Sequence, residues 1–556
     1  MPRAAPPAGA GCVTERRTRR APGGRRRGRS AATAVAVLLA LSPASGWSQE
    51  EQGDAASDPV IGAIEIDRRE VFDDRAGGVF AAHRIANRIH VRTREQVVRR
   101  EILFAPGDPA DRELIEQTER NLRALSFLRD ARVETVDVDT DGDGRPERVD
   151  VRVTTWDRWS LSPRVDFEQV EDRTKWELGA SERNLLGFGK TVIASRRVNL
   201  DRTIDRVIYH DPQLAGSLVR MQASVANLSD GHDQFLALGR SYLSLRDPWS
   251  VTGSVRRFAQ TDPLYEDGLE VDRLDHRGRA GDLEVGRALR RGDAHALRLH
   301  GAYRVRAAEV GVERRRFGIA EIGLRSVSHR FVRLTHVNQF ERTEDFNLGP
   351  ESHATLGLSS AALGGAAGGA LFLAAGHRQG VRFRDDHFIL LGIGAGGRRE
   401  RSVWRNVQVA ANLRYLQKHT ARTALVGKMD YLHGHRLDPE VQLRLGADSG
   451  LRGYPNRQFN GTRSLLLTAE ERWFLADDVG QLLSIGVAAF VDSGYVWPAD
   501  RPVDLSELKT SVGISLLLGS HRLASRGGVR FDLAYGLDPV PGAKRWIGRA
   551  FSGISF

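Results

Sequence analysis

The chain has 556 residues, a formal net charge of +11 and a single cysteine. Its length admits several domains, or one small domain and one large β body, so core size excludes nothing. The first 48 residues hold nine arginines against Glu15, and removing that +8 leaves +3 for the rest. The basic excess belongs to the leader and gives no basis for a nucleic-acid partner. Cys12 also lies in the leader, which leaves the remainder without disulfide or thiol chemistry.

In chain order, "RRTRRAPGGRRRGRS" followed by "AATAVAVLLAL" (31–41) and small residues at Ala44, Gly46 and Ser48 reads as an export signal over 1–48. General secretion is the expected route. The apolar run is too short to span a bilayer, and no later run of 18 apolar residues offers a membrane helix. Residues 49–58, "QEEQGDAASD", read as a disordered polar linker.

A small α+β domain is expected over 59–156, in the order strand, helix, helix, strand, strand. "VIGAIEI" (60–66) reads as the first strand, and "REQVVRREILF" (94–104) has helical spacing. "GDPADRELIEQTERNLRALSFL" (107–128) carries a Pro/Asp helix start, with Leu114, Ile115, Leu122 and Leu125 on one stripe. "ARVETVDV" and "ERVDVRV" complete the domain.

From about Trp159 to the end, short alternating segments are separated by Gly, Asp and Pro. In "QLLSIGVAAFVDSG" (481–494), Leu483, Ile485, Val487, Ala489 and Val491 share one face; Ser484, Gly486, Ala488, Phe490 and Asp492 share the other. In "GVRFDLAYG" (528–536), Val529, Phe531, Leu533 and Tyr535 oppose Arg530, Asp532, Ala534 and Gly536. One apolar face and one small or charged face over residues 157–556 predict a transmembrane β-barrel with a wet lumen. A soluble β-sandwich array or propeller is the competing reading, because alternation alone does not separate lipid from a protein core. The final strand, "WIGRAFSGISF", puts Ile554 and Phe556 on one face.

Three stretches carry a family resemblance: "SERNLLGFGK" (181–190), "LRGY" (451–454) and "FVDSG" (490–494). With the small domain before them, they resemble the Omp85 superfamily, also called the bacterial surface antigen D15 family. The resemblance implies a mainly β fold: a 16-stranded transmembrane antiparallel barrel in the bacterial outer membrane, preceded by one POTRA-like domain in the periplasm. LRGY is similar to the tip of the family's inward-folded sixth loop, and the aromatic terminus to the end read by the assembly machinery. Phe551 stands where the family pattern expects glycine, and one POTRA-like domain is fewer than the main assembly factor carries.

Leu451, Arg452, Gly453 and Tyr454 are therefore expected to form a loop lock. On "RSLLLTAEERWF", Leu465, Leu467 and Trp473 mark the lipid side, which turns Glu470 and Arg472 inward. Asp492 also faces the lumen, where a charge needs a partner. A loop folded into the barrel would deliver Arg452 to Asp492 and Glu470, where a guanidinium binds carboxylates in bidentate geometry. The barrel closes its first strand, "WSLSPRVDF" (159–167), against its last, so Pro163 and Phe556 mark the seam. Pro163 removes a ladder donor there.

"DVDTDGDGRPERVD" (137–150) places Asp139, Asp141, Asp143, Glu147 and Asp150 near calcium-loop spacing. Its flanks read as strands, so a polar hairpin connection is the expectation and calcium the alternative. "HGH" (433–435) reads as a polar loop rather than a metal site. No enzyme motif stands out, and no cofactor is expected. The resemblance implies assembly of outer-membrane proteins or translocation of unfolded polypeptides by strand pairing, with accessory periplasmic or lipoprotein partners. The alternatives are a secretion pore for one dedicated protein and a passive porin-like channel.

Overall fold

The computed structural model describes residues 59–72, 81–138, 146–170, 173–520, 522 and 528–552. The expected export signal, the linker 49–58, Asp139, Asp141, Asp143 and Phe556 lie outside these residues. The amino-terminal domain comprises β1 (Val60–Arg69), α1 (Ala81–Ile89), α2 (Glu95–Arg99), α3 (Arg112–Ala124), β2 (Leu128–Val138) and β3 (Arg148–Asp157). In its sheet, β3 is central, parallel to β1 and antiparallel to β2. Asp111 caps α3, its carboxylate accepting the Glu113 and Leu114 N–H groups at 2.9 and 3.2 Å. Val97, Val98, Leu122, Phe127, Val151 and Val153 fill the core. The helix expected over 94–104 stops at Arg99. The chain then turns so that Phe104 can join that core ahead of Pro106. An additional helix, α1, precedes it.

Twenty strands, rather than the sixteen implied by family resemblance, close the antiparallel barrel among the described residues. They run from Leu161–Val170 to Trp546–Ser552. The number came from the resemblance and not from counting turns, and the turns here conceal themselves. The hairpins turn at 385–386, 401–402 and 421–422 on Asp385-Asp386, Arg401-Ser402 and Ala421-Arg422, without glycine or proline. Arg401 takes a left-handed φ of 55° at its turn. Strand lengths are unequal around the wall. Thr203–Asp211 and Arg220–Leu228 have 9 residues each, whereas Trp249–Glu266 has 18 and Leu269–Arg290 has 22.

Val225, Leu238, Val255, Leu283, Ile322 and Leu356 stand exposed on strands whose alternate residues turn inward. A closed wall with an apolar exterior suits hydrocarbon, because neighbouring strands pair their backbone groups around the ring. "HGH" forms the end of the strand Thr423–His435 rather than a loop, with His433 paired to Arg463.

Among the described residues, two chain segments occupy the lumen. The longer, residues 436–462, enters from the end away from the amino-terminal domain and carries LRGY. It joins the fifteenth barrel strand (Thr423–His435) to the sixteenth (Arg463–Val479). It is thus the eighth connection on that side and not the sixth. From the opposite end, a hairpin of Phe331–Leu334 and Glu344–Asn347 crosses the interior. Its tip buries Val337 and Phe340, and Phe340 meets Phe474 edge-on with ring centroids 5.2 Å apart.

Candidate functional site

LRGY sits in a tight turn. Gly450 has φ +110°, a conformation that disfavours any side chain. Gly453 lies so close to the wall that an added Cβ would stand 2.4 Å from Ser511 Cβ. Its N–H donates to Ser511 Oγ at 3.2 Å. Leu451 is buried among Leu445, Phe459, Leu466 and Val496. Tyr454 Oη donates to the Thr510 carbonyl at 2.8 Å. The glycines thus press the backbone onto the wall, and the side chains beside them fix its register.

Arg452 is buried at the centre. Its Nε and Nη2 donate to Asp492 Oδ2 and Oδ1, both at 2.7 Å, and its Nη1 donates to Glu470 Oε2 at 2.8 Å. The guanidinium carbon lies 3.4 Å from the Phe490 ring centre, a cation–π contact in a dry setting. Arg472 touches Glu470 rather than the loop, donating to Oε1 at 2.8 Å.

Arg530, not singled out in the sequence reading, binds both oxygens of Glu470 at 2.9 and 2.7 Å. It also donates to Asp532 at 2.6 Å and to Ser515 at 2.7 Å. The available signal was its place on the charged face of "VRFDLAYG", with Asp532 two residues away. Three arginines and three carboxylates balance in charge, as buried ions must. Both oxygens of Glu470 are occupied, so this carboxylate is saturated as an acceptor. The cluster ties the loop to four consecutive strands, from Arg463–Val479 to Val529–Gly536.

The hairpin continues this network. The Val337 carbonyl accepts from Arg472 Nη1 at 2.6 Å, and the Thr335 carbonyl accepts from Lys418 at 2.6 Å. At the hairpin's base, Asp345 accepts from Arg123 of α3 at 2.7 and 3.0 Å, and Arg333 pairs with Glu119 of α3 at 3.1 Å.

"SERNLLGFGK" forms the turn between the second and third barrel strands and meets the amino-terminal domain. Asn184 Oδ1 accepts the Gly189 N–H at 2.7 Å, while its Nδ2 donates to Thr93 Oγ1 at 3.0 Å. The Arg94 N–H donates to the Gly187 carbonyl at 2.9 Å, and the Arg94 guanidinium covers Phe188 at 3.9 Å. The next turn on this side adds Gln213, whose Nε2 donates to Glu101 at 2.8 Å and to the Val97 carbonyl at 3.1 Å. Asp157, at the end of β3, accepts the Thr93 N–H at 2.7 Å. Burial pushes its carboxyl up to about 6, with the Thr93 N–H pulling the other way.

At the remaining expected positions, Pro163 faces Ala180 across the ladder of the first two barrel strands. The described part of the Asp-rich connection has Asp150 accepting the Ala63 N–H at 2.8 Å and meeting Arg148. Among the described residues, no group of three or more His, Cys, Asp or Glu side chains is placed to hold a metal.

Residues 85–155 match the family model described as POTRA, surface antigen variable number repeat. The amino-terminal domain is a POTRA domain. No curated protein matches the chain. Among solved structures, the chain is similar to BamA from Haemophilus ducreyi lacking POTRA domains 1–3, with 12% identity, TM-score 0.38, and coverage of 88% of this chain and 85% of that one. It is similar to CdiB from Acinetobacter baumannii, with 11% identity, TM-score 0.44 and coverage of 89% and 73%. CdiB from Escherichia coli is a third, with 15% identity, TM-score 0.39 and coverage of 88% and 77%. A POTRA domain joined to a large β-barrel is the pairing implied by the Omp85 resemblance. With its apolar outer wall, the barrel belongs in the bacterial outer membrane, and the POTRA domain in the periplasm.

Proposed function

We propose that this protein assembles β-barrel polypeptides into the outer membrane, handling them by strand pairing at its own seam. The seam carries the reading. Among the described residues, the last barrel strand pairs antiparallel with the first at Ala550 and Phe167, and the first strand carries Pro163, which has no N–H to give to a ladder. A strand short of a donor is the easiest to part from its neighbour, and an opened edge is a template for an incoming strand. In the POTRA sheet, β2 is likewise an edge strand with Val136 exposed, which suits capture of an extended chain before delivery.

The filled lumen argues against a passive channel. The LRGY loop occupies it from outside, and the hairpin from the periplasmic side, so traffic through the bore would require both to move. The LRGY cluster, on this reading, braces the strands near the seam while the seam itself works. Its role is mechanical, with no bond chemistry.

The test is a reversible lock. Phe167→Cys with Ala550→Cys, in a Cys12→Ser background, places two thiols at directly paired positions, within reach of a disulfide. In proteoliposomes, oxidation should abolish the acceleration of folding of a urea-unfolded outer-membrane barrel, and reductant should restore it. A control lock at Ile514 and Leu533, paired within the stable wall, should be silent. Undiminished activity with the seam oxidised would overturn the reading. Export of a dedicated polypeptide through the locked barrel would establish the secretion-pore alternative.

A further inference from the structure

Helix α1 of the POTRA domain is built inside out. His83 is buried and stacks on Phe72, with ring centroids 4.5 Å apart and planes 6° from parallel. Asn87, one turn on, exchanges hydrogen bonds with the Phe72 backbone, donating at 2.9 Å and accepting at 3.2 Å. The His90 side chain is also buried. The polar stripe at 83, 87 and 90 therefore faces the protein. The apolar pair at i and i+4 faces away, with Ile85 61% and Ile89 65% exposed. A helix with its polar face inside and its isoleucines outside calls for a partner on the apolar side.

Two observations identify that partner. The first is continuity with the lipid-facing wall. The His90 ring lies 6.3 Å from that of Trp159, just before the first barrel strand. Val91, 49% exposed, packs against Gly187, where a Cβ would stand 3.4 Å from Val91 Cγ1. Beside Gly187 in that turn, Leu186 is 62% exposed. Above the turn, Leu161 and Leu178 are exposed on the barrel exterior. Apolar surface thus runs from the wall, across the rim and onto the segment leading back to α1.

The second observation is charge. Residues 81–94 contain four arginines and no acidic residue. Arg84 and Arg88 are exposed beside the isoleucines. Basic side chains flanking exposed isoleucines are the pattern of a helix lying in a membrane interface, and arginine there attracts anionic headgroups.

We infer that α1 is an interfacial anchor: Ile85 and Ile89 enter the periplasmic leaflet beside the first two barrel strands, and Arg84 and Arg88 bind anionic phospholipid headgroups. The anchor holds the POTRA domain against the bilayer as well as against the barrel. It depends on the barrel wall facing lipid, but not on how polypeptides are handled, so the folding assay and the lipid assay fail independently.

The test uses the full chain with Cys12→Ser, reconstituted in vesicles of zwitterionic phosphatidylcholine with and without anionic phosphatidylglycerol. Nitroxides are attached at Ile85→Cys, Ile89→Cys or, as an exposed POTRA position away from α1, Val136→Cys. Collision with oxygen and with a water-soluble nickel chelate reports depth. The labels at 85 and 89 should favour oxygen and lose nickel access when phosphatidylglycerol is present, while the label at 136 stays open to nickel. Arg84→Glu with Arg88→Glu should return the 85 and 89 labels to water. All these residues are exposed, so folding should survive, as heat-modified gel mobility checks. Nickel access at 85 and 89 equal to that at 136 would overturn the proposal. So would spin–spin broadening that disappears on dilution with unlabelled protein, which would assign the face to a second copy. Shielding that requires added unfolded polypeptide would assign it to a client and overturn it too.

Discussion

Arg452 grips Asp492 through two parallel hydrogen bonds of 2.7 Å, and its third donor group reaches Glu470 on the neighbouring strand. One side chain thereby fastens a loop to two strands of the wall. Arg452→Ala leaves both carboxylates short of a partner in a buried setting, a loss of about 3–5 kcal/mol. The variant should unfold at lower temperature in a heat-modified gel-mobility assay, with the loop newly open to protease. Arg452→Lys keeps the charge but not the planar fork, so its midpoint should fall between the two. A midpoint for Arg452→Ala equal to that of the parent protein would remove the locking role.

Arg530 supports the same carboxylate from the other side. Because Arg530 and Arg452 share Glu470, replacing either should weaken the other's contribution, and the effects of Arg530→Met and Arg452→Ala should not add. A double-mutant cycle on the thermal midpoint checks this. Strict additivity would mean that the two arginines act separately.

The hairpin connects α3 to Arg472, from the Arg123–Asp345 pair at its base to the Val337 carbonyl at its tip. Asp345→Arg reverses the charge facing Arg123 and should free the hairpin from the POTRA domain. Protease cleavage between 331 and 348 should accelerate. Current in planar bilayers should become larger and noisier as the periplasmic mouth loosens. Unchanged current would show that the hairpin holds to the wall without help from α3.

Asn184 joins the second-to-third strand turn to Thr93. Asn184→Ala removes the acceptor for Gly189 and the donor to Thr93, at a cost of about 1–3 kcal/mol. Calorimetry should show an earlier, partial transition for the POTRA domain ahead of the barrel. Coincident transitions unchanged from the parent would deny the turn its role as a rivet.

Asp157 makes the same joint sensitive to pH. With its carboxyl pushed up to about 6 in the folded protein, against an ordinary value of 3.8, the folded state holds the proton more tightly than the unfolded chain. The joint is therefore most stable at low pH. It loses stability as pH rises from about 4 to about 6, after which this contribution is flat. Asp157→Asn should raise the POTRA transition by a few degrees at pH 7 and flatten its dependence across that window. A wild-type transition equally stable at pH 5 and pH 7 would contradict the assignment.

The sequence was most informative where one face meets a uniform environment. Val529, Phe531 and Leu533 lie outside and Arg530 and Asp532 inside, because a two-residue period has only two faces to choose between. The partners of Arg452 were legible for the same reason, since an inward charge must find an opposite one. Arg530 escaped because its partner lies three strands away, which no local pattern records. The strand count followed the family resemblance, and turns such as Asp385-Asp386 carry no breaker that would have corrected it. The hairpin at 331–347 was hidden within the alternating stretch, and its fold back into the bore depends on tertiary contacts with Phe474 and Arg472. Helix α1 was missed because its polar stripe is the buried one, which inverts the pattern that marks a helix on a soluble core.

The unequal height of the wall bears on the lipid around it. A tilted strand needs about 9–11 residues to cross the hydrocarbon, and Thr203–Asp211 and Arg220–Leu228, with 9 residues each, match that span. On the flank beyond them, strands of 18 and 22 residues overreach that span. Their surplus length must stand clear of the acyl chains, and the hairpin they share at Asp267-Gly268 rises on the side from which the LRGY segment enters. The molecule thus carries a raised parapet on that flank, where Tyr265 and Asp267 meet Gln442 and Asn460 of the inward segment.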